Sequence, residues 1–467
     1  MAELAVSQTP IAGLLVVRLD VRSDNRGWFK ENWQREKMMA LGLPDFAPVQ
    51  NNISFNSSRG ATRGIHAEPW DKLVSLATGR IFGAWVDLRP GTGFGRCFTI
   101  EMGPETAVFV PRGIGNAYQT LADQTAYSYL VNDHWKPSAR DSYTFVNLAD
   151  ETLAINWPIP LERAELSEAD KSHPRLADVT PVTPRRILII GASGQLGRAL
   201  AEAIPDAVPT TRATLDLGSP EAIKTFDFAP YAVVINAGAY TKVDAAETEV
   251  GRREAWTVNV AGVAALVEAA RKYRFTLVHI SSDYVFDGSQ ELHTETEPFS
   301  PLGVYGQTKA AGDALVGSLP AHYLLRTSWV IGDGHNFVCT MASLADRGAS
   351  PAVVDDQFGR LTFTTEISRA IRHLIETNAP YGTYNLTNSG EPMTWASVAR
   401  AVFQARGRDA ASVSGVTATE YAAGKSLAPR PRHSMLSLDK IIRSGFQPAD
   451  ASSELQAYLS RMDERQQ

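Results

Sequence analysis

The sequence predicts two domains of different fold class: an all-β domain, followed by an α/β domain built on a doubly wound parallel sheet. Three observations lead to this prediction. The chain has 467 residues, a length that favours two or three domains. Short strand patterns fill residues 10–160, and strand and helix patterns alternate after residue 185. A glycine-rich turn between a strand and a helix lies in mid-chain rather than near the start.

The first domain is predicted from short apolar or alternating runs that are separated by turn signals. The turns are marked by pairs such as Pro90-Gly91, and the regular spacing of the runs is typical of a β-sandwich or barrel. The clearest runs are Leu14–Val17, Val74–Leu76, Trp85–Leu88 and Ala107–Val110.

Polar residues recur with a period of two at Gln50, Asn52, Ser54 and Asn56. Such a period places the four side chains on one face of a strand. That face either lines the interior or lies on the surface, and the pattern fits both.

The predicted domains are residues 1–172 and 185–467, with a linker over residues 173–184. The linker segment is polar, proline-containing and without periodicity, which is typical of interdomain connections.

The second domain is predicted from buried strand runs at 187–190, 232–236 and 276–280, with a long helix expected over 251–274. Alternation of strands and helices favours a parallel sheet with right-handed crossovers.

A glycine loop follows the first of these strands. Gly191 permits a tight turn, Gly194 lets the backbone approach a pyrophosphate, and Gly197 allows close packing of helix and strand. With Ser193, Gln195 and Leu196, the loop opens a helix whose N-terminal N–H groups can bind an anion. We therefore expect a dinucleotide-binding site here.

Tyr305 and Lys309 lie four residues apart, so a helix places them on one face. A nearby ammonium group favours the phenolate, and we expect Lys309 to lower the pKa of Tyr305 so that it exchanges a proton with a carbonyl oxygen. Ser282 follows a buried strand and can donate a hydrogen bond to the same oxygen. Together with the glycine loop, these residues predict a hydride-transfer site.

The formal net charge of −6 argues against a nucleic-acid partner and gives no reason to expect membrane association. The two cysteines, Cys97 and Cys339, have no metal or redox spacing. We expect a cytoplasmic enzyme without a membrane-spanning segment.

The second half resembles the dTDP-4-dehydrorhamnose reductase family, within the extended short-chain dehydrogenases/reductases. The resemblance is carried by segments 234–247, 282–288, 326–330, 354–362 and 430–436. It implies a Rossmann fold with a small substrate-binding lobe, and reduction of the C4 ketone of a dTDP-6-deoxy-4-ketohexose. Ser282 stands where the family usually has threonine.

By this resemblance Tyr305 protonates the developing alkoxide, and Lys309 also reaches the cofactor ribose. Ala237, Gly238 and Ala239 line the cofactor cleft, Asn259 occupies the family's proton-relay and strand-bracing position, and Trp329 belongs to the substrate side. An acidic residue is missing at the end of the second strand, and Arg212 follows it instead. We expect Arg212 to bind a 2′-phosphate and Asp216-Leu217 to contact the adenine, so NADPH is favoured over NADH.

The first half resembles the dTDP-4-dehydrorhamnose 3,5-epimerase family, a cupin-type jelly roll, over about residues 5–172. The matching segments are 24–31, 50–54, 63–66, 72–74, 86–89, 155–158 and 166–170. The resemblance makes His66 the base, Asp170 its partner, Tyr129 the acid on the opposite face and Lys72 the group that stabilises the enolate. Substrate binding falls to Arg26, Glu31, Gln50, Asn52, Arg63 and Asn116.

No metal is expected, because the histidine cluster of metal-binding cupins is missing from the sequence. Asn116 stands where the family usually has histidine, and an amide cannot titrate. Inversion at both C3 and C5 is therefore an open question.

The predicted function is a bifunctional enzyme that epimerises dTDP-4-dehydro-6-deoxy-D-glucose and then reduces it to dTDP-L-rhamnose. Two alternatives remain: epimerisation at a single centre to give another deoxysugar, or a non-catalytic sugar-nucleotide-binding role for one half. A homodimer through the first domain is expected from the resemblance.

Overall fold

A computed structural model describes residues 3–135 and 137–464. The chain divides into two compact units, Met1–Pro184 and Arg185–Gln467. Within the described residues, we find no helix with both the length and the apolar character needed to span a membrane.

The regular structure of the first unit is mainly β, and its described residues include two short α-helices, α1 (Arg35–Ala40) and α2 (Glu168–Lys171). Its strands are β1 (Ala5–Gln8), β2 (Leu15–Arg18), β3 (Val21–Asp24), β4 (Gly27–Lys30), β5 (Gln50–Asn56), β6 (Thr62–Ala67), β7 (Lys72–Thr78), β8 (Ile81–Asp87), β9 (Cys97–Met102), β10 (Thr106–Val110), β11 (Ile114–Thr120), β12 (Thr125–Val131) and β13 (Thr144–Phe145).

Two antiparallel sheets form the body of this unit. Their strand orders are β1-β2-β10-β7-β12-β5 and β13-β6-β11-β8-β9. Apolar side chains of both sheets share one core, in which Val74 and Val108 of the first sheet pack with Trp85 and Ile114 of the second. The hairpin of β3 and β4 is a separate two-stranded sheet.

The segment expected as a linker lies within the first unit. Leu176, Val179 and Val182 pack against an apolar cluster of that unit. The Val182 N–H also donates to the Leu88 carbonyl at 2.7 Å, so these residues extend the β unit and the second unit begins at Arg185.

The second unit combines a parallel sheet with helices. Its strands are β14 (Arg186–Ile190), β15 (Val208–Thr210), β16 (Tyr231–Asn236), β17 (Thr276–Ser282), β18 (His322–Thr327), β19 (Val330–Ile331), β20 (Ala352–Val354), β21 (Phe358–Gly359), β22 (Thr362–Phe363), β23 (Gly382–Asn385), β24 (Met393–Thr394) and β25 (Ser414–Val416). Its helices are α3 (Gln195–Ala203), α4 (Pro220–Thr225), α5 (Glu249–Trp256), α6 (Val263–Tyr273), α7 (Val304–Val316), α8 (Phe337–Asp346), α9 (Thr364–Glu376), α10 (Trp395–Ala405), α11 (Ala418–Ala422), α12 (Asp439–Arg443) and α13 (Ala451–Glu464).

The parallel sheet has the order β15-β14-β16-β17-β18-β23. The chain leaves β14 for β15 on one side and returns to β16 on the other, so the crevice beside β14 is where ligands bind in such sheets. Leu188 and Leu277 belong to one apolar cluster, whereas their neighbours Ile189 and Val278 belong to another. Alternate residues of a strand face opposite sides, so both faces of the sheet are covered. A third cluster joins α8, α10 and α13 in a smaller lobe.

The helix expected over 251–274 is not a uniform α-helix. A π-helical segment, Thr257–Gly262, separates α5 from α6. Such segments occur frequently at functional sites, and this one holds Asn259.

Candidate active sites

The first site centres on a histidine–carboxylate pair. His66 lies on β6 and Asp170 on α2, whose N-cap Ser167 accepts a hydrogen bond from the Asp170 N–H. His66 Nε2 is 2.9 Å from Asp170 Oδ1. Burial raises the pKa of Asp170, but the hydrogen bond and charge of His66, together with smaller contributions from Ser167 and His173, hold the pKa below its usual range. A carboxylate that accepts the Nε2 proton leaves Nδ1 of His66 as the basic nitrogen.

A second histidine shares this carboxylate. His173 Nε2 lies 3.2 Å from the same Asp170 oxygen, and burial lowers its pKa, with a further contribution from His66. Phe145 stacks on His173 and meets His66 edge-on. Sequence reasoning missed His173, although it follows Asp170 by three residues.

His66, Asp170 and His173 each offer one potential metal-ligand atom, and these atoms lie within 4.8 Å of one another. No such cluster was expected from the sequence, because the histidine cluster of metal-binding cupins is missing there. The group can act as a hydrogen-bonded proton relay or as a ligand set.

Lys72 and Tyr129 lie near a carboxylate that the sequence analysis did not single out. The buried Lys72 ammonium forms an ion pair with Glu68. Burial raises the pKa of Tyr129 to about 12, with Glu68 adding to the shift and Arg63 opposing it. Tyr129 is therefore protonated at neutral pH and can act as an acid.

Asn116 lies beside His66 in the pairing of β11 with β6. Its Oδ1 accepts a hydrogen bond from the fully buried Tyr127 hydroxyl at 3.2 Å. At the position where the family usually has histidine, Asn116 therefore supplies a hydrogen-bonding group that does not titrate.

The period-two polar face of β5 points inward. Gln50, Asn52 and Ser54 are less exposed than the alternating Asn51, Ile53 and Phe55. Gln50 Nε2 donates to Asn52 Oδ1 at 2.8 Å, and Arg63 Nε donates to Asn56 Oδ1 at 3.2 Å. The interior alternative for this face is confirmed, and Arg63 of β6 contacts the face at the buried Asn56.

Arg26 and Glu31 are not brought into this group. Arg26 lies at the tip of the β3–β4 hairpin, where it pairs with Asp24 and its side chain is 85% exposed. Glu31 pairs with Lys37 on the surface.

The second site is a cleft of about 1060 Å³ at the carboxyl ends of the parallel strands. It is lined by most of the predicted residues of this unit: Gly191, Ser193, Gly194, Gln195, Leu196, Arg212, Asp216, Leu217, Ala237, Gly238, Ala239, Ser282, Tyr305, Lys309 and Trp329.

The glycine loop is shaped for close backbone approach. Gly191 has a φ of +79°, and a Cβ there would lie 2.8 Å from the Gly238 N atom. A Cβ on Gly197 would lie 2.1 Å from the Gly191 oxygen. Gly197 therefore packs α3 against the loop, and the free N–H groups at the start of α3 face a cleft that suits a dinucleotide diphosphate.

Ser282, Asp283 and Tyr305 form the polar centre of the cleft. Ser282 Oγ donates to Asp283 Oδ1 at 2.9 Å, and burial raises the pKa of Asp283 to about 6. Burial raises the pKa of Tyr305, Asp283 raises it further, and the hydrogen bond with Ser282 opposes the shift.

The structure differs from the expectation that Lys309 lowers the pKa of Tyr305. Lys309 is buried, and its Nζ donates to the Ile280 carbonyl at 2.7 Å. Burial lowers the pKa of Lys309 to about 8, with Asp313 opposing the shift. The low polarity around both residues disfavours the phenolate and the ammonium alike, so Tyr305 is a proton donor in this state.

Asn259 of the π-helical segment bonds to the loop after β16 and to α7. It accepts from the Tyr240 N–H at 2.9 Å, and it donates to the Tyr240 carbonyl and to Thr308 Oγ1, both at 3.1 Å. Asn259 thereby braces the helix that carries Tyr305 and Lys309.

Two tryptophans form one wall of the cleft. Trp329, with a φ of +46°, stacks on Trp395 with ring centroids 3.9 Å apart. Sequence reasoning missed Trp395, which lies far along the chain at the start of α10. The chain therefore has two enzyme-like sites. The first unit holds a histidine–carboxylate pair suited to proton transfer, and the second holds a cleft suited to a nucleotide, with a serine, a tyrosine and a lysine.

Comparisons with known proteins assign each unit. The family model described as dTDP-4-dehydrorhamnose 3,5-epimerase matches residues 8–178, and the model of the RmlD substrate binding domain matches residues 185–464. The chain belongs to the dTDP-4-dehydrorhamnose 3,5-epimerase family through its first unit and to the dTDP-4-dehydrorhamnose reductase family through its second.

Three similar proteins illustrate the match. A protein RmlC homolog of Streptococcus pyogenes is 49% identical over 180 residues, covering 38% of this chain and 90% of that protein. A dTDP-4-dehydrorhamnose reductase of Aggregatibacter actinomycetemcomitans is 38% identical over 298 residues, covering 58% and 99%. The crystal structure of dTDP-4-dehydrorhamnose reductase from Bacillus anthracis in complex with NADP is 31% identical, covers 60% of this chain and 99% of that one, and has a TM-score of 0.55.

Proposed function

We propose that this chain performs two consecutive reactions, epimerisation of dTDP-4-dehydro-6-deoxy-D-glucose at C3 and C5 and reduction of the C4 ketone with NADPH, to give dTDP-L-rhamnose. The observation that carries the proposal is the presence of both proton-transfer sets on one chain. His66 pairs with Asp170 in the first unit, and Ser282, Tyr305 and Lys309 line one cleft in the second.

In the epimerase site, Nδ1 of His66 removes a proton next to the C4 ketone while Asp170 stabilises the resulting imidazolium. Lys72 stabilises the enolate oxygen. Tyr129, whose pKa is raised to about 12, returns a proton from the opposite face, and this inverts the carbon centre. His173 holds the Asp170 carboxylate in place through the shared oxygen.

In the reductase site, NADPH held by the glycine loop and Arg212 would supply the hydride for C4. Tyr305 donates its proton to the developing alkoxide, since its pKa is raised and the hydroxyl is protonated. Ser282 donates a hydrogen bond to the same oxygen. Lys309 binds the cofactor ribose and supplies the proton that Tyr305 has given up.

The residues present fit a dinucleotide phosphate. The Gly191 and Gly197 positions have no room for a side chain, so the backbone can lie against a diphosphate. Arg212, 85% exposed and only weakly paired with Asp216 at 4.0 Å, can bind a 2′-phosphate. Its position after β15 supports NADPH over NADH.

The strand orders support a jelly roll in the first unit and a Rossmann-type fold in the second. Strands β5 to β12 are divided between the sheets as β10-β7-β12-β5 and β6-β11-β8-β9, and this order supports an arrangement of two Greek keys. The order β15-β14-β16-β17-β18 reverses beside β14, as in doubly wound sheets, and the small lobe would bind the sugar.

A homodimer through the first unit is part of the proposal. Strand β5 lies at the edge of its sheet, and its outer face exposes Ile53 and Phe55 at 65% and 55%. The β3–β4 hairpin exposes Phe29 at 66%. Exposed apolar groups on an unpaired edge favour association. Arg26 on that hairpin, and Glu31 just after it, would then bind the nucleotide of the neighbouring copy.

Asn116 favours a second candidate, epimerisation at a single carbon, because the chain has an amide where the family usually has a titrating imidazole. The reaction would then yield a different dTDP-6-deoxyhexose. Identifying the product sugar separates the two candidates.

The test is conversion of dTDP-4-dehydro-6-deoxy-D-glucose by the purified full chain with NADPH, with the product sugar identified by NMR. We expect dTDP-L-rhamnose from the wild type and about 10²- to 10⁴-fold slower production from His66→Ala or Tyr305→Phe. A mixture of the two variants should restore production, because each retains one active site. Failure of the wild type, or unchanged turnover in His66→Ala, contradicts the proposal.

A further inference from the structure

His279 lies completely buried beneath the reductase cleft, on β17 and three residues before Ser282. Its ring is placed between two polar side chains from different elements. Nδ1 is 3.0 Å from Asn236 Nδ2 at the end of β16, and Nε2 is 3.5 Å from Lys309 Nζ on α7. The ring therefore connects the strand-end loop of the cofactor cleft to Lys309.

The hydrogen bonds of Asn236 determine which ring nitrogen carries the proton. Asn236 Oδ1 accepts the backbone N–H of Gly238 at 3.1 Å, so the amide oxygen faces Gly238 and the amide nitrogen faces His279. The amide nitrogen only donates. His279 Nδ1 must therefore accept, and the proton of a neutral ring lies on Nε2.

The Nε2 proton of His279 points at the Lys309 amine. If Lys309 were an ammonium group, it and His279 Nε2–H would both be hydrogen-bond donors, and no hydrogen bond could form between them. A neutral Lys309 amine can accept a hydrogen bond from Nε2–H. Burial holds the pKa of His279 well below its usual range, and Lys309 adds to the shift. The ring is therefore neutral and keeps this polarity.

Two carboxylates, Asp313 and Asp283, also lie near Lys309 and Tyr305. Asp313 on α7 favours the ammonium, but it forms a buried ion pair with Arg326 of β18 at 3.0 Å. Asp283 after β17 acts on Tyr305. His279 is the neighbour whose hydrogen-bond polarity favours the neutral amine.

We propose that His279 is a positioning residue that favours the neutral form of Lys309 and thereby lets Lys309 release a proton toward the Tyr305 oxygen. The inference rests on the proposed reductase function. Tyr305 gives its proton to the alkoxide formed at C4, Lys309 gives one N–H proton to replace it, and the neutral amine then accepts the His279 Nε2–H. Solvent returns the proton to Lys309, so the site is restored after each turnover.

The first test does not depend on turnover. Nitrogen-15 NMR of the full chain with labelled histidine reports the protonated nitrogen of each ring, and the signal lost in His279→Gln assigns His279. We expect Nε2 to be protonated and Nδ1 to be bare between pH 6 and 9. A ring protonated on Nδ1, or on both nitrogens, overturns the proposal.

The second test is the pH dependence of the reduction in the steady state, because Tyr305 must regain its proton from Lys309 in every turnover. The rate should fall as pH rises through the pKa of Lys309, about 8 in the wild type. In His279→Gln the amide oxygen can accept from the ammonium, so the pKa of Lys309 rises and the falling limb moves up by about one pH unit, a tenfold change in proton affinity. His279→Leu, which removes the Nε2–H donor together with the Nδ1 acceptor of the Asn236 amide, should move the limb in the same direction.

His322→Gln is the matched control. His322 is also a buried histidine, on the neighbouring strand β18, but its ring contacts the Leu319 carbonyl. The falling limb of the pH profile of His322→Gln should therefore stay at the wild-type pH. The proposal is overturned if the falling limb of the pH profile stays at the wild-type pH in both His279 variants. A uniform loss of rate or of thermal stability alone would mean that His279 is only a packing residue. Absence of NADPH oxidation by the wild type would instead refute the reductase function, while the NMR result would still test the ring polarity.

Discussion

His66 Nε2 and Asp170 Oδ1 lie 2.9 Å apart, although the two residues are 104 positions apart in the chain. The contact forms because Ser167 caps the short helix α2 and holds Asp170 against β6. A buried carboxylate in this position fixes the tautomer of His66 and makes Nδ1 its basic nitrogen.

Asp170→Asn should lower the rate of proton exchange at the sugar by about 10²- to 10⁴-fold, the usual contribution of general acid–base catalysis. The amide can no longer stabilise the imidazolium. The rate is measured as loss of the C3 and C5 proton signals in D2O. Glu168→Gln, on the same helix but with an exposed side chain, is the control, and equal rates in the two variants would exclude Asp170 from the site.

The lowered pKa of Asp170 predicts a pH dependence of stability. A carboxyl group whose pKa is lower in the folded state stabilises it above the unfolded value of about 3.9, and this contribution is lost as pH falls through the folded pKa. The difference in free energy of unfolding between wild type and Asp170→Asn should therefore shrink as pH falls from about 5 to about 2. Urea titrations at each pH measure it, and a difference that grows toward low pH would contradict the assignment.

Tyr305→Phe should lower NADPH oxidation by about 10²- to 10⁴-fold, because the proton donor to the alkoxide is lost. Proton exchange at C3 and C5 should continue at the wild-type rate, since it takes place in the first unit. Tyr381→Phe, which removes an exposed hydroxyl bonded to Thr276, is the control. Loss of both activities in Tyr305→Phe alone would mean that the sites do not act separately.

The sequence predicted most of the reductase cleft, because a glycine loop and a tyrosine–lysine pair at helical spacing are local patterns. It did not predict that the Lys309 side chain donates to the Ile280 carbonyl, because Ile280 belongs to a different element. Nor did it predict Trp395, whose stacking on Trp329 depends on how the small lobe folds.

In the first unit the sequence predicted that the polar side chains of β5 share one face, since a period of two is visible along a single strand, but it left open whether that face is interior or exposed. It missed His173 and Glu68, because nothing in their local pattern shows that Asp170 and Lys72 are their partners. The two units and their boundary followed from a change of pattern near residue 185, but the packing of Leu176 and Val182 on the β unit could not be read from a proline-containing segment.

Arg212→Asp should raise the KM for NADPH by at least about tenfold and leave the KM for NADH nearly unchanged. The substitution removes the cation beside the 2′-phosphate and adds a carboxylate that repels it. Steady-state kinetics with both cofactors measure the ratio. Arg372→Asp, an equal charge change at an exposed pair on α9, is the control, and a parallel loss with both cofactors would place Arg212 outside the phosphate site.

Incubation of the purified full chain with dTDP-4-dehydro-6-deoxy-D-glucose in D2O, with and without NADPH, tests the central claim most directly. Without NADPH, deuterium should enter both C3 and C5 of the ketosugar. With NADPH, the cofactor should be consumed and the reduced sugar should carry both deuterons. Deuterium at one carbon only would indicate the single-centre epimerase, and a sugar without deuterium or NADPH left unconsumed would contradict the account.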